Sequence, residues 1–203
     1  MIGILDYGMA NLRSVNNAFA HAGHPAQIIK NADEVKKCDR LVLPGVGAFR
    51  DAMVALRSEG VDGAIRDHIK AGKPFLGICL GLQMLFDIGY EDGEHEGLGI
   101  FRGDCVRFDV DHTLGLKVPH MGWNQLDIQQ KTPLFDGVPD HSNVYFVHAY
   151  HVQPQDPAII AATTDYGRPF VSVIAKDNVV ACQFHPEKSQ AIGQNILQNF
   201  GKM

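Results

Sequence analysis

The architecture of the chain follows from the residues Pro74-Phe75-Leu76-Gly77-Ile78-Cys79-Leu80-Gly81. The first five indicate a buried strand, and the pattern predicts a helix directly afterwards, over residues 80–88. Cys79 therefore stands on a sharp strand-to-helix turn, between glycines two positions before and two positions after it. Such a turn lifts a side chain clear of a sheet, and the glycines let neighbouring segments approach closely. The pattern predicts a nucleophile, against the alternative of a small free cysteine buried at a strand end.

Around this turn, the first half of the chain alternates apolar strands with amphipathic helices. The predicted strands are residues 2–5, 26–29, 41–43 and 74–78, and the predicted earlier helices are residues 11–22, 49–57 and 61–71. Such a pattern indicates a parallel sheet with both faces covered. Because ligands of these sheets bind beyond the carboxyl ends of the strands, three loops should meet at the site: residues 6–8, residues 44–47 and the Cys79 turn.

The second half predicts shorter strands separated by turns. These are residues 98–110, 124–128, 143–152, 159–164, 171–175 and 179–184, followed by a helix over residues 190–200. No linker or repeat divides the chain, so we expect residues 1–203 to form a single domain. The expected fold class is α/β. It consists of an open, mostly parallel twisted sheet flanked by helices on both faces, with a smaller antiparallel β addition in the second half.

Composition excludes several classes of function. The formal net charge is -5 and no Lys/Arg cluster stands out. The sequence therefore does not predict the basic surface that nucleic-acid binding usually needs. No apolar run approaches the ~20 residues that span a bilayer. The first six residues lack a basic segment and reach Asp6 at once, which is unlike a signal peptide. We expect a cytoplasmic protein with no membrane association.

The four cysteines are widely and irregularly spaced, at positions 38, 79, 105 and 182. Neither a disulfide framework nor a zinc ribbon is indicated. Cys182 with His185, or His148 with His151, could share a metal ion, but no carboxylate completes a recognisable ligand set. We therefore expect neither a metal nor a cofactor.

A cysteine nucleophile needs a base, and the base needs an orienting partner. His185-Pro186-Glu187 follows the predicted strand 179–184 and supplies both. Proline favours an extended conformation at the residue before it, and side chains two apart in an extended segment point the same way. Alone this motif is weak, since it also fits a surface histidine and glutamate beside a proline. Pro44-Gly45-Val46-Gly47 equally fits a plain turn or a loop that presents N–H groups to a ligand.

Taken together, these motifs resemble those of the cysteine-dependent (triad) glutamine amidotransferases. Three motifs occur in the order and spacing of that family: residues 44–47, residues 77–83 and Gln183-Phe184-His185-Pro186-Glu187. Within the family, residues 6–15, 43–49, 119–124 and 145–150 resemble the branch that serves imidazole glycerol phosphate synthase in histidine biosynthesis.

The resemblance implies an enzyme that hydrolyses glutamine and passes ammonia to a separate cyclase subunit, a (β/α)8 barrel, in a heterodimer. Cys79 would form a glutamyl thioester, His185 would transfer protons, and Glu187 would orient His185. The N–H of Leu80, with that of Val46 or Gly47, would form the oxyanion hole. A length of 203 residues leaves no room for a cyclase domain in this chain.

The resemblance also implies a set of residues that hold glutamine: Gly47, Gln83, Glu91, His148, Ala149 and Tyr150. Gln83 lies one helical turn after the nucleophile and shares its face. Glu91 lies in an acidic run that also fits a solvated loop. The family more often has serine at Ala149, which is harmless if the backbone makes the contacts there.

Four residues match positions that face the cyclase in the family: Asn11, Trp123, Tyr145 and Lys188. Each has a structural alternative, namely a helix start for Asn11, core packing for the two aromatic residues and a solvated charge for Lys188. Trp123, the only tryptophan, equally fits an interface anchor.

Three alternatives remain at this stage. One is the glutaminase of another pathway, such as anthranilate, pyridoxal phosphate or guanylate synthesis, which residues 6–9 and 119–124 disfavour. Another is a non-catalytic regulatory module on the same fold, which the intact Cys79, His185 and Glu187 disfavour. The third is a cysteine peptidase or a DJ-1-like protein on a similar sheet, which would need neither Gln83 nor the two-glycine loop of residues 44–47.

Overall fold

The computed structural model describes residues 1–110, 113 and 115–203. Its helices are α1 (Leu12–His21), α2 (Ala32–Lys37), α3 (Phe49–Ser58), α4 (Val61–Lys70), α5 (Leu80–Gln83) and α6 (Gln190–Lys202). Its strands are β1 (Ile2–Leu5), β2 (Ala26–Ile29), β3 (Arg40–Gly45), β4 (Phe75–Cys79), β5 (Ile88–Gly89), β6 (His95–Glu96), β7 (Gly103–Arg107), β8 (His120–Gln125), β9 (Asp127–Ile128), β10 (Asn143–His148), β11 (Tyr150–Pro154), β12 (Ile160–Asp165), β13 (Pro169–Lys176) and β14 (Val179–Cys182).

Eight strands form the main sheet, in the order β2-β1-β3-β4-β14-β13-β12-β9. The five from β2 to β14 are mutually parallel, and the last three continue the sheet in antiparallel pairings. Two smaller sheets, β10-β8 and β11-β7-β5-β6, lie beside it. The predicted fold class is confirmed, with one refinement: part of the antiparallel addition extends the main sheet.

Helices cover both faces of this sheet. One apolar cluster joins Phe75 of β4 to residues of α2, α3 and α4. The other joins the next residue of β4, Leu76, to α1 and α6 through Phe19 and Phe200, whose ring centroids lie 6.1 Å apart. Because successive strand side chains point to opposite faces, each central strand feeds both clusters. The two apolar layers hold the strand ends that carry the site.

The predicted helix over residues 80–88 is wrong in length, because α5 ends at Gln83. The N–H of Leu98 donates to the carbonyl of Met84 at 2.7 Å, and that of Ile100 donates to the carbonyl of Leu85 at 2.9 Å. These carbonyls would accept the next helical hydrogen bonds. The following loop therefore replaces the continuation of the helix, although the apolar pattern extends further.

Helix α2 was not predicted. The side chain of Asn31 accepts the N–H of Glu34 at 3.0 Å, and the Glu34 carboxylate accepts the N–H of Lys30 at 2.6 Å. This pair of reciprocal caps resembles a capping box, and its Asn-x-x-Glu spacing was the signal that could have found the helix.

The predicted strand over residues 143–152 is two strands in different sheets. Strand β10 pairs with β8, whereas β11 pairs with β7. The two meet at Ala149, whose carbonyl accepts the N–H of Phe108 at 2.9 Å. The apolar pattern is continuous across this point, so it gave no sign that the partner strand changes.

Within the described ranges, no helix combines the length and the apolar character that crossing a bilayer requires.

Candidate active site

Cys79 ends β4 in a backbone conformation that favours glycine, with φ 54° and ψ -107°. The flanking glycines make the turn possible. A Cβ atom at Gly81 would lie 1.9 Å from the carbonyl oxygen of Leu43, and one at Gly77 would lie 2.8 Å from the carbonyl oxygen of Gly81. The close approach expected from the sequence is therefore present. The turn places the sulfur at the carboxyl edge of the parallel strands.

His185 and Glu187 form a buried pair at the same edge. The Nδ1 atom of His185 lies 2.7 Å from Oε1 of Glu187, and their side chains are 3% and 1% exposed. His185 has the expected extended backbone, but Pro186–Lys188 is a 3-10 turn, because proline favours the first position of a helical turn. The turn, rather than a continued strand, brings the carboxylate back to the imidazole. The Nε2 atom of His185 hydrogen-bonds to none of the described residues.

The charges around His185 favour its imidazolium form. Burial lowers the pKa of His185, but the negative charge of the Cys79 sulfur and the hydrogen bond to Glu187 outweigh it, so the pKa is raised above its ordinary value. By contrast, burial raises the pKa of Cys105 and of Cys182. These two thiols have apolar surroundings that disfavour a thiolate.

A cavity of about 320 Å³ opens over the Cys79 sulfur. All six residues expected to hold glutamine line it, together with the predicted nucleophile and the predicted base. The full lining is Val46, Gly47, Cys79, Leu80, Gln83, Glu91, Val147, His148, Ala149, Tyr150, His185 and Lys188. Two of the three predicted loops, residues 44–47 and the Cys79 turn, therefore meet at the cavity, together with the β10–β11 junction. Residues 6–8 do not line the cavity, and Tyr7 instead donates from its hydroxyl to the carbonyl of Pro44 at 2.9 Å.

Two buried glutamine side chains, Gln83 and Gln183, hydrogen-bond to each other, and Gln183 lies close to the sulfur. The Nε2 atom of Gln83 donates to the carbonyl of Tyr150 at 3.1 Å and to Oε1 of Gln183 at 3.2 Å. With both amide protons engaged, Gln83 has only its oxygen left for a ligand, so it can accept but not donate. Gln183 in turn has its Nε2 atom 3.6 Å from the Cys79 sulfur.

The loop of residues 44–47 has one of its two expected oxyanion donors already engaged. The N–H of Val46 donates to the carbonyl of Met9 at 2.9 Å, and Gly47 has a φ of 96°. In this conformation Val46 cannot offer its N–H to a ligand. Reorientation of the 46–47 segment would have to break the contact with Met9.

Glu91 is half-buried, although the three residues that follow it in the acidic run are exposed. Its Oε2 atom accepts the N–H of Phe49 at 2.7 Å, and it lines the cavity. Helix α3 has no capping side chain of its own at Ala48, so Glu91 caps it from a distant part of the chain. The acidic composition of the run concealed this role.

His148 is held in one tautomer by a directional chain of hydrogen bonds. Its Nδ1 atom lies 2.8 Å from the carbonyl of Tyr150 and must carry the proton, so its Nε2 atom accepts from His120 Nδ1 at 3.1 Å. Nε2 of His120 then accepts from the Asn124 amide at 3.3 Å. Burial lowers the pKa of His120 to about 4 and that of His148 to about 3. Both histidines are therefore neutral donors and acceptors at neutral pH.

Three of the expected interface residues lie side by side. Trp123 and Tyr145 are opposite one another on β8 and β10, with ring centroids 5.9 Å apart, and Nζ of Lys188 lies 5.8 Å from the Tyr145 ring. Trp123 is 48% exposed and the neighbouring Met121 is 62% exposed, so Trp123 is not a core residue. We call Met121, Trp123, Tyr145 and Lys188 the tryptophan patch. Asn11 is exposed and caps α1, accepting the N–H of Ser14 at 3.4 Å.

The sequence missed two polar residues of the site. Gln183 is a fully buried polar residue within an apolar strand run, and that contrast was a usable signal. Ser189 donates to the carbonyl of His185 at 2.7 Å and accepts the N–H of Tyr145 at 3.0 Å. Ser189 thereby links His185 to Tyr145 of the tryptophan patch, and no sequence signal pointed to this role. In the described part of the chain, no three His, Cys, Asp or Glu residues are grouped as a metal site.

Known proteins resemble this chain over almost its whole length. The family "Glutamine amidotransferase class-I" matches residues 3–203. The imidazole glycerol phosphate synthase subunit HisH of Syntrophotalea carbinolica is 53% identical over 206 residues, covering 100% of both chains. The subunit of the same name from Aquifex aeolicus is 51% identical, covering 97% of this chain and 94% of that protein.

Solved structures share the fold at low sequence identity. The crystal structure of a glutamine amidotransferase matches with a TM-score of 0.76 at 16% identity, covering 100% of this chain and 99% of that one. The structure of PurLQS from Thermotoga maritima matches with a TM-score of 0.76 at 18% identity, covering 98% of this chain and 96% of that one.

Proposed function

The chain belongs to the class-I glutamine amidotransferases, and we propose that it is the glutaminase subunit of imidazole glycerol phosphate synthase. The curated members of its branch are named imidazole glycerol phosphate synthase subunit HisH. The chain hydrolyses glutamine to glutamate and ammonia for histidine biosynthesis. The observation that carries the proposal is the cavity, where a thiol, an oriented imidazole and an amide acceptor face the same space.

In the first half of the reaction, the Cys79 sulfur attacks the side-chain carbonyl carbon of glutamine. A carbon–sulfur bond forms as the carbon–nitrogen bond breaks, and His185 gives its Nε2 proton to the departing ammonia. The raised pKa of His185 supports this role, because the imidazolium is present before the attack. Glu187 holds the opposite ring nitrogen, so that Nε2 faces the reacting atoms.

In the second half, His185 takes a proton from water as the water oxygen bonds to the thioester carbon. The carbon–sulfur bond then breaks, which releases glutamate and restores the Cys79 thiolate beside the protonated His185. The N–H of Leu80 and one from Val46 or Gly47 stabilise the negative oxygen in both steps. Since Val46 donates to Met9 in the resting conformation, we propose that the free subunit is poorly active. Complete catalysis requires a change in the 46–47 segment.

We propose a cyclase subunit, a (β/α)8 barrel, as the heterodimeric partner that receives the ammonia. The tryptophan patch and Asn11 would form the contact. The exposure of Trp123 and Met121 supports this assignment, since large exposed apolar side chains mark interfaces. Lys188 lines the cavity and also belongs to the patch, which joins the interface to the site. We also propose that residues 1–203 act as one domain in the cytoplasm.

The test is glutamate release by the purified protein, with and without the cognate cyclase subunit and its nucleotide ligand. We expect little release from the protein alone and a large increase on adding the cyclase. The Cys79→Ala variant should stay inactive in both conditions. Full activity of that variant would exclude Cys79 as the nucleophile, and an unchanged rate on adding the cyclase would point to a different partner.

A further inference from the structure

We propose that Gln183 is a further catalytic residue, which donates a hydrogen bond from its side-chain amide to the Cys79 sulfur and favours the thiolate there. The proposal rests on the proposed function, because it concerns the same sulfur. The sequence pattern assigned no role at this site to the side-chain amide of Gln183.

The placement of Gln183 is fixed by its backbone. It follows directly after β14, and its N–H donates to the carbonyl of Ser172 at 2.9 Å. Its side chain is fully buried, and Nε2 lies 3.6 Å from the Cys79 sulfur, within the distance of a hydrogen bond to sulfur. A buried amide without partners would be costly, so its orientation follows from its neighbours.

The direction of the Gln183 amide is set by a carbonyl. The oxygen of Tyr150 can only accept, so the Gln83 side chain must turn its NH₂ group toward it. The other proton of that NH₂ group donates to Gln183, which must present its oxygen in return. The NH₂ group of Gln183 is then left facing the sulfur. His148 donates to the same Tyr150 carbonyl and holds it in place.

The sulfur therefore has two different neighbours. On one side is the amide donor of Gln183, which stabilises a negative sulfur. On the other side, 4.0 Å away, is the carbonyl oxygen of Val147, which suits a neutral S–H group. Cys79 is only 6% exposed, so water does little to solvate a thiolate there. Removing the amide donor should shift the balance toward the neutral thiol.

The experiment measures alkylation of Cys79 by iodoacetamide from pH 5 to pH 10, read by mass spectrometry of the peptide that carries it. It needs neither glutamine nor a partner. In Gln183→Met, which has no donor, we expect the midpoint of the pH dependence to rise by about one pH unit. Below the midpoint, alkylation should be about tenfold slower. Gln183→Asn keeps a polar amide that is too short to reach the sulfur, and the same upward shift is expected.

The matched control is Ser172→Ala. Ser172 is fully buried beside Gln183 on β13, and its hydroxyl bonds to none of the described residues. Its alkylation midpoint should equal that of the wild type. An unchanged midpoint in both Gln183 variants, or an equal shift in the control, would overturn the proposal. Failure of the proposed function is distinct, because it would appear as wild-type protein that alkylates normally but releases no glutamate even with the cyclase subunit and its nucleotide ligand present.

Discussion

Cys79 has a backbone conformation that side chains rarely adopt, at φ 54° and ψ -107°. Such a conformation costs on the order of 1–3 kcal/mol, and the surrounding turn maintains it. We predict that the free energy of unfolding of Cys79→Gly is about 1 kcal/mol larger than that of Cys79→Ala. Glycine relieves the backbone strain, and the greater entropy that it gives the unfolded chain offsets only part of this gain. Urea denaturation of the two inactive variants measures this difference. Equal stability would mean that the turn is not strained.

Burial of His120 and His148 makes the stability of the protein depend on pH. The pKa values of His120 and His148 are lowered to about 4 and about 3, so the folded protein keeps them neutral where the unfolded chain takes up protons. Their contribution to stability is present above pH 6.5 and is lost as the pH falls toward 4, by up to ~1.4 kcal/mol per pH unit for each histidine. His120→Gln retains a donor and an acceptor without a titrating group, so its free energy of unfolding should fall less steeply with decreasing pH.

The control for this experiment is Val54→Ala, at a position on α3 that is 61% exposed, because this change neither adds nor removes a titrating group. Its slope between pH 6.5 and pH 4.5, measured by urea denaturation, should match that of the wild type. If His120→Gln also kept the wild-type slope, His120 would not be neutral in the folded protein.

Helix α6 supports the turn of Pro186–Lys188, which holds Glu187 beside His185. A Cβ atom at Gly193 would lie 1.8 Å from the carbonyl oxygen of Pro186. We predict that Gly193→Ala displaces this turn, destabilises the protein by ~1–3 kcal/mol and lowers kcat at least tenfold, because Glu187 loses its position at His185.

Gly63 provides the matched control for Gly193. It lies inside α4 with no atom within 4 Å of an added Cβ. Gly63→Ala should therefore stabilise the protein by about 0.5–1 kcal/mol and leave kcat unchanged. Denaturation and cyclase-stimulated glutamate release measure both variants. A Gly193→Ala protein with wild-type kcat would show that the turn tolerates displacement.

The elements that were predictable are those whose own residues specify them. The central strands and α1, α3, α4 and α6 follow from apolar periodicity, and the Cys79 turn follows from its glycines. The helix α5 is shorter than predicted because Leu98 and Ile100 compete for its carbonyls. The Gln83–Gln183 contact joins residues 100 positions apart. Such contacts depend on tertiary packing, which cannot be read from the local pattern of residues in the sequence.

At the scale of the whole molecule, the tryptophan patch connects the outer surface to the site. Ser189 links Tyr145 to the backbone of His185, and Lys188 lines the cavity. We predict that Trp123→Ala weakens binding of the cyclase by roughly 2 kcal/mol, about thirtyfold, while stability changes by less than about 0.5 kcal/mol, because the side chain is half exposed. Titration calorimetry with the cyclase subunit measures the affinity.

Val54 is the control for this prediction, since it is 61% exposed on α3, away from the tryptophan patch. Val54→Ala should bind the cyclase as the wild type does. Equal affinity of the Trp123→Ala and wild-type proteins would place the interface elsewhere on the surface.

The most direct test of the account is to locate the nucleophile with a glutamine analogue that carries an electrophilic diazoketone in place of the side-chain amide. After incubation with the cyclase present, peptide mass spectrometry should find a single modification, on Cys79, which excess glutamine suppresses and which is absent from Cys79→Ala. Modification of Cys38, Cys105 or Cys182 instead, or labelling that glutamine does not suppress, would contradict the assignment of a glutaminase site at this turn.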